Sequence, residues 1–192
     1  MDKPEEIRQR LRELFDSQKL AVIATHDGGQ PYASLVAFVA TEDLKQIHFV
    51  TPKTTRKFAN LSNDRRVAVL VNSSTNQAAD FHRAISVTAV GDAEEITGTE
   101  REHIQAQYLT KHPYLADFIK SPTCALVRVT LRSYYMVKNF GWFSAITADL
   151  ISAVMDWLRW QRKKLRARDQ GLKPPRRPIM KLPKPVKLAD EG

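Results

Sequence analysis

The sequence predicts a mainly β protein: a six-stranded antiparallel barrel with helices around its periphery. Two observations carry this prediction. Short apolar runs recur at the spacing of a β-meander, and few helical patterns lie between them. The composition, 43% apolar and 27% charged over 192 residues, is that of an ordinary globular chain and excludes long disordered, collagen-like or solenoid architectures for most of it.

The first part of the chain predicts one helix followed by a three-stranded meander. Apolar residues recur at helical spacing over residues 4–18. The apolar runs 20–25 and 32–40 flank a turn at 26–31 that contains Asp-Gly, which is typical of a β-hairpin. Residues 47–51 alternate as a third strand should.

The middle of the chain predicts a helix and two further strands. Residues 54–63 have a helical pattern, and residues 67–71 are apolar at every position, which favours a strand buried on both faces. Residues 72–83 are polar and unpatterned and predict a long connection. Residues 84–96 predict a long strand that bends at Gly91, because a glycine within a strand commonly marks a bulge.

The last part predicts helices at 100–108 and 114–120, then a final strand or strands over 124–131 and 133–137. From Ser144 to about residue 169 an apolar stripe returns at helical spacing, with Lys and Arg crowding its second half. We therefore expect three units: a barrel over 1–140, an amphipathic basic helix over 141–170 and a Lys/Arg/Pro-rich tail over 171–192.

The positive charge lies at one end of the chain. Residues 1–158 hold 18 basic and 18 acidic residues, whereas residues 159–192 hold 12 basic and three acidic ones. All 12 lie within residues 159–187, called the basic segment below. The neutral body argues against a barrel that binds nucleic acid without a cofactor.

The single cysteine and the residue pattern of the N-terminus favour a cytoplasmic, soluble protein. The single cysteine, Cys124, cannot form an internal disulfide, and the acidic N-terminus lacks the pattern of a secretory signal. The most apolar long stretch, 142–158, is interrupted by Asp149 and Asp156 and is too short to span a membrane. No spacing of histidines or acids predicts a metal site.

The segment 47–60 is a candidate phosphate site, because a strand ends there in a basic, hydroxyl-rich loop before a helix. Backbone N–H groups at a helix N-terminus attract anions, and nearby cations strengthen that attraction. The alternative is a capped helix with solvated charges, since no nucleotide-loop spacing is present. The contributing side chains would be Thr51, Lys53, Thr54, Thr55, Arg56 and Lys57.

The order of these elements resembles the FMN-binding split barrels related to pyridoxamine 5'-phosphate oxidase. The resemblance extends over about residues 15–140, and it is carried by the set of segments rather than by any single motif. The matching segments are Gly-Gln-Pro-Tyr-Ala-Ser-Leu-Val at 29–36, Ile-His-Phe-Val-Thr at 47–51, Thr-Arg-Lys-Phe-Ala-Asn-Leu at 55–61, Asn-Asp-Arg-Arg-Val-Ala-Val-Leu at 63–70 and Val-Gly-Asp-Ala-Glu at 90–94.

The resemblance implies an FMN-binding homodimer that holds two flavins between its subunits. It implies phosphate contacts from Thr51, Thr54, Arg56 and Lys57. It implies that Ser34, Leu35, Val36, Val50 and Ser86 line the ring. Catalytic side chains are not implied, because the isoalloxazine itself accepts hydride or electrons.

Departures from the family pattern limit the predicted substrate. Ser34, Val39 and Val50 stand where a true pyridoxamine phosphate oxidase has Arg, Lys and Tyr, so vitamin B6 oxidation is not predicted. Haem-cleaving split barrels use a histidine near the C-terminus, and no histidine follows His112 here. A deazaflavin in place of FMN stays open.

The predicted function is that of a small flavin-dependent oxidoreductase with an unknown small-molecule redox substrate. The alternative is a non-catalytic flavin carrier or sensor that acts through the basic segment. That segment could lie on an anionic membrane or on nucleic acid. Packing of its apolar stripe on the barrel or across the dimer is the favoured arrangement.

Overall fold

The computed structural model describes residues 4–138, 142–147, 160 and 162–166. The strands are β1 Leu20–Asp27, β2 Gln30–Ala40, β3 Gln46–Pro52, β4 Arg66–Asn72, β5 Ile85–Glu95, β6 Cys124–Lys138 and β7 Trp142–Thr147. The helices are α1 Pro4–Ser17, α2 Arg56–Asn63, α3 Asp80–Arg83, α4 Glu100–Lys111, a short 3₁₀ helix Pro113–Leu115 and α5 Ala116–Lys120.

Six of the strands form a closed antiparallel barrel, as the sequence predicted. β1 pairs with β2 and β4, β2 pairs with β3, and β5 pairs with β4 and β6. The pairing of β3 with the first half of β6 closes the ring. Each strand of the ring pairs with two neighbours, and the ring order β1-β2-β3-β6-β5-β4 places β2 and β5 on opposite sides of the barrel.

Alternation along the strands fills the barrel with apolar side chains. In β1 and β4, every second residue is fully or nearly fully buried, and the intervening residues are half-buried on the outer face. The prediction that 67–71 is buried on both faces therefore holds for the inward face, while the outward face is only half-buried within one chain. Inside the barrel lie Ile23, Phe38, Phe49, Val69, Val87, Val129 and Tyr134, all with relative exposure of 0%.

A second apolar cluster lies outside the barrel, where α4 and α5 cover the outer face of β3 and β6. Tyr108 and Ile119 are fully buried there against Val50 and Leu126. The Tyr108 hydroxyl donates to the carbonyl oxygen of Ala37 at 3.2 Å, which fixes α4 against β2. Because this cluster covers the outer face, the outward-facing Val50 of β3 is buried as well as the inward-facing Phe49 beside it.

The C-terminal part of the sequence prediction differs from the structure at one point. We predicted a helix from Ser144, but Trp142–Thr147 forms β7, which pairs antiparallel with the end of β6. The second half of β6 has one side occupied by β5 and the other open, so a returning chain can add a strand there. Most of residues 148–192 lie outside the described residues, and the division into units at 140 and 170 stays a prediction.

Two smaller findings complete the fold. The polar connection 72–83 contains one helical turn, α3, which sequence pattern alone did not predict. In the described part of the chain, no helix is both long enough and apolar enough to cross a membrane.

Acid should destabilise the barrel through His48, whose side chain is 1% exposed. Burial, with Arg128 opposite it on β6, lowers the pKa of His48 from 6.5 to about 4. The unfolded chain therefore binds a proton that the folded chain resists, and stability falls as the pH drops below about 6.5. We expect a loss of about 2 kcal/mol between pH 7 and pH 5 in urea unfolding.

The control for this prediction is His48→Gln, which cannot take up the proton. Its stability should fall less over the same pH range, because other acid-sensitive groups contribute equally to both proteins. An identical pH dependence in the two proteins would contradict the assignment to His48.

Candidate functional site

The candidate site lies at one end of the barrel, where β3 passes into α2. Thr55 is the N-cap of α2: its backbone is extended, and its hydroxyl accepts a hydrogen bond from the Phe58 N–H at 3.4 Å. The same hydroxyl donates to the carbonyl oxygen of Pro52 at 2.8 Å. Thr51, 1% exposed, lies 3.0 Å from it, oxygen to oxygen. The threonines therefore fix the start of the helix.

Two cations follow this cap in the first turn of α2. The Arg56 guanidinium carbon lies 5.2 Å from the centre of the Tyr32 ring on β2, an arrangement typical of a cation–π contact. Lys57 is half-buried, because helical spacing places it on the side of α2 that buries Asn60 and Leu61. Loss of hydration lowers the pKa of Lys57. Both cations therefore lie next to the free N–H groups of a helix N-terminus.

Arg56 and Lys57 differ from their basic neighbours in having no carboxylate partner among the described residues. Around them, Lys53 pairs with Glu95, Arg65 with Glu94 and Arg66 with Asp64, at nitrogen–oxygen distances of 2.7, 2.7 and 2.6 Å. Partial burial of a lysine without a counter-ion lowers the stability of the fold, and an anion bound beside it would offset that cost. The site is thus suited to an anionic group such as a phosphate.

The predicted phosphate residues lie close together in the structure, but they differ in exposure and in hydrogen bonding. Arg56 and Thr54 are exposed, and Lys57 is half-buried between them and the barrel. The Thr51 hydroxyl is already engaged with Thr55, so Thr51 holds the helix start in place rather than offering a free donor.

The predicted ring-lining residues fall into separate environments. Leu35 faces outward from β2 and is 64% exposed, while Val36 faces the barrel interior. Val50 faces outward but is covered by the second cluster under α4 and α5. The Ser34 hydroxyl is buried and has no hydrogen-bond partner in the described structure. Leu35 is therefore the exposed side chain of this set, whereas Ser34 shares the inward face of β2 with Val36.

Ser86 does not join the other candidates within one chain. It lies on β5, opposite Asn72 of β4 and Val137 of β6, and it points to the outer face. β5 and β2 are on opposite sides of the barrel. A ligand that contacts both Leu35 and Ser86 would have to contact two copies of the chain.

An apolar row crosses the outer face of the barrel from Leu35. The pairing register places Leu35, Val22, Leu70, Thr88 and Tyr135 side by side on five successive strands. Leu20 and Val137, 55% and 39% exposed, border this row. The row is partly exposed and mostly apolar, and apolar surface of this kind is commonly used in protein–protein contacts.

Sequence reasoning missed two structural parts of the site. Tyr32 was assigned only to a strand, yet its ring holds the Arg56 guanidinium. Asn60 is 2% exposed and donates from its amide to the Thr25 hydroxyl at 3.0 Å, which ties α2 to β1. A polar residue on the apolar side of a predicted helix was the available signal for Asn60.

Comparison with known proteins supports the same architecture. Residues 7–138 match the family model described as pyridoxamine 5'-phosphate oxidase. No curated protein is similar enough in sequence to count as a match. The solved structures described next share 14–18% of their residues with the chain, so their likeness shows the fold alone.

These three structures are of proteins with different names: one is called haem-binding, one a member of the pyridoxinephosphate oxidase family and one FAD-binding. A haem-binding protein from Mycobacterium smegmatis has a TM-score of 0.68 at 18% identity; the match covers 80% of this chain and 61% of that one, less than two thirds of its length. A protein from Clostridium acetobutylicum, related to general stress protein 26 and placed in the pyridoxinephosphate oxidase family, has a TM-score of 0.61 at 17% identity, covering 79% and 99%. An FAD-binding protein from Mesorhizobium loti has a TM-score of 0.53 at 14% identity, covering 67% and 91%.

Proposed function

Because the chain belongs to the pyridoxamine 5'-phosphate oxidase family, we propose that it binds FMN at the N-terminus of α2 and acts as a small flavin-dependent oxidoreductase. The observation that carries the proposal is the pair Arg56 and Lys57, which have no carboxylate partner among the described residues and adjoin a capped helix start. A phosphate dianion would satisfy both cations and the free helix N–H groups at once.

The residues present fit FMN at the phosphate and at the ring edge. Arg56 and Lys57 would hold the phosphate, with Thr54 as an exposed hydroxyl donor beside them. Leu35, exposed on the outer face of β2, would shield an apolar ring from water, whereas the buried Ser34 hydroxyl would gain a hydrogen-bond partner only from a ligand group that enters the end of the barrel. Bound FMN would supply a ring that accepts a hydride or electrons.

A homodimer is part of the proposal because, among the described residues, no helix covers the outer face of β1, β4 and the start of β2. The row from Leu35 to Tyr135 offers apolar surface that a second copy would bury. Ser86 could reach a flavin near Leu35 only from that second copy, since β2 and β5 lie on opposite sides of one barrel. The dimer would thereby exclude water from the ring.

The proposed reaction is oxidation or reduction of a small molecule, without a claim on vitamin B6. Ser34, Val39 and Val50 replace the charged and aromatic residues of the family's oxidases, as noted above. A flavin carrier or sensor would share the same binding site. Steady oxidation of a reduced nicotinamide with a second acceptor would distinguish the enzyme from the carrier, in which turnover would be slow or absent.

Absorption spectroscopy and calorimetry of the full chain test the cofactor. We expect a flavin spectrum, one FMN per chain, and a particle of twice the chain mass in sedimentation. Riboflavin should bind far more weakly than FMN, because it lacks the phosphate that Arg56 and Lys57 would hold. A Soret band would indicate haem instead, and equal affinity for FMN and riboflavin would place the flavin elsewhere.

A further inference from the structure

The described part of the basic segment forms a helical turn whose side chains face solvent. Arg162, Lys163, Lys164 and Arg166 are all exposed in residues 162–166. Leu165, between them, is 54% exposed. The Lys164 ammonium lies 5.2 Å from the centre of the half-buried Trp160 ring. Cations therefore surround an exposed aliphatic side chain beside an aromatic ring.

Leu165 is not packed closely on the barrel in this turn, because more than half of its surface is open in one chain. Packing of the apolar stripe across a dimer stays a prediction. Burial and the neighbouring charge of Arg12 lower the pKa of Arg8 on α1, and the charge of Arg162 adds a smaller effect in the same direction, so the turn adds to positive charge already present there. An anionic partner would relieve this repulsion.

Composition distinguishes between two kinds of anionic partner. Proteins that hold single-stranded nucleic acid stack its bases on aromatic side chains, and no aromatic residue follows Trp160. Aliphatic residues instead alternate with Lys and Arg toward the C-terminus, a pattern suited to the headgroup layer of a bilayer. These aliphatic residues are Leu165, Leu172, Ile179, Met180, Leu182, Val186 and Leu188.

We propose that the basic segment binds the surface of an anionic membrane, with Leu165 entering the headgroup layer and the surrounding cations contacting lipid phosphates. The segment holds 12 basic residues and one acidic residue, Asp169. Each Lys or Arg near an anionic surface strengthens binding about fivefold, so the segment supplies enough charge for stable attachment. The neutral barrel would then be held at the membrane surface.

Co-sedimentation of the full chain with lipid vesicles tests the charge contribution. We expect binding to vesicles of phosphatidylglycerol and phosphatidylcholine in equal parts, reversal by added salt, and little binding to phosphatidylcholine alone. Lys163→Gln with Lys164→Gln should weaken partitioning about thirtyfold. Lys45→Gln with Lys120→Gln removes the same charge from exposed positions on the barrel and should change partitioning little. Equal effects of the two pairs, or no binding to the anionic vesicles, would overturn the proposal.

Leu165→Gln separates the membrane from nucleic acid. It keeps every charge, and it should weaken vesicle binding several-fold by removing the apolar contact. A single-stranded RNA oligonucleotide should bind the full chain less tightly than the vesicles and should respond little to this substitution. Tighter binding to RNA, or vesicle binding that Leu165→Gln leaves unchanged, would contradict insertion at a lipid surface.

Discussion

Alanine at both Arg56 and Lys57 should give a folded but colourless protein. Hydrogen bonds between a cation and an anionic acceptor contribute about 1.5 to 3 kcal/mol each, so losing both weakens FMN binding at least about a hundredfold. Arg56 is exposed and Lys57 is half-buried without a partner, so their removal leaves no buried acceptor unpaired. Calorimetric titration with FMN and riboflavin measures the effect, and the double variant should no longer distinguish the two flavins.

The matched control is Arg65→Ala with Arg66→Ala. These arginines follow α2 at the same end of the barrel and change the net charge equally, but each is paired with a carboxylate. Flavin binding should be retained in this variant, although some stability is lost. A double variant at Arg56 and Lys57 that purifies as yellow as the parent would show that the phosphate lies elsewhere.

Alanine at Gly91 should destabilise the barrel by more than about 3 kcal/mol. A Cβ atom at this position would lie 2.2 Å from the carbonyl oxygen of Thr130 and 2.9 Å from its carbonyl carbon. Ordinary contacts between carbon and a carbonyl oxygen are about 3.3 Å or longer. Because the atoms are backbone atoms of a paired strand, the overlap cannot be relieved by a side-chain rotation. Urea unfolding should show a markedly lower midpoint.

The close approach at Gly91 arises from a bulge. Val90 is opposite Ser133 and Gly91 is opposite Leu131, so Arg132 is the extra residue of β6. Val90→Ala, next to Gly91 but on the outer face, is the control and should cost less than about 1.5 kcal/mol. A Gly91→Ala protein as stable as the Val90→Ala protein would contradict the tight contact.

Local pattern was sufficient for most of the barrel. Alternation in β1 and the hairpin turn at 26–31 depend on residues adjacent in sequence, and the turn glycines Gly28 and Gly29 have positive φ as such a turn requires. The bend of the long strand was predicted at Gly91, and the structure has an irregularity there. These features follow from short-range backbone preferences and from the two-residue period of a strand.

Local sequence pattern could not predict which distant segments pair or pack together. The stripe from Ser144 has a helical period, yet residues 142–147 add a strand to β6 because an edge was free beside it. The burial of Val50 depends on α4 and α5, which are more than fifty residues away. Hydrogen bonding to a particular neighbouring strand overrides intrinsic preference in such places.

Sequence alone determined the succession of strands, the basic corner after β3 and the charge imbalance of the C-terminus, because each is carried by neighbouring residues. Only the tertiary structure decided that Arg56 and Lys57 have no carboxylate partner in the described part of the chain, while the neighbouring cations Lys53, Arg65 and Arg66 do. It also decided that Ser86 faces away from Leu35. The pairs Lys53–Glu95 and Arg65–Glu94 and the position of Ser86 all depend on which distant strands pair around the barrel, and that pairing is a property of the whole fold.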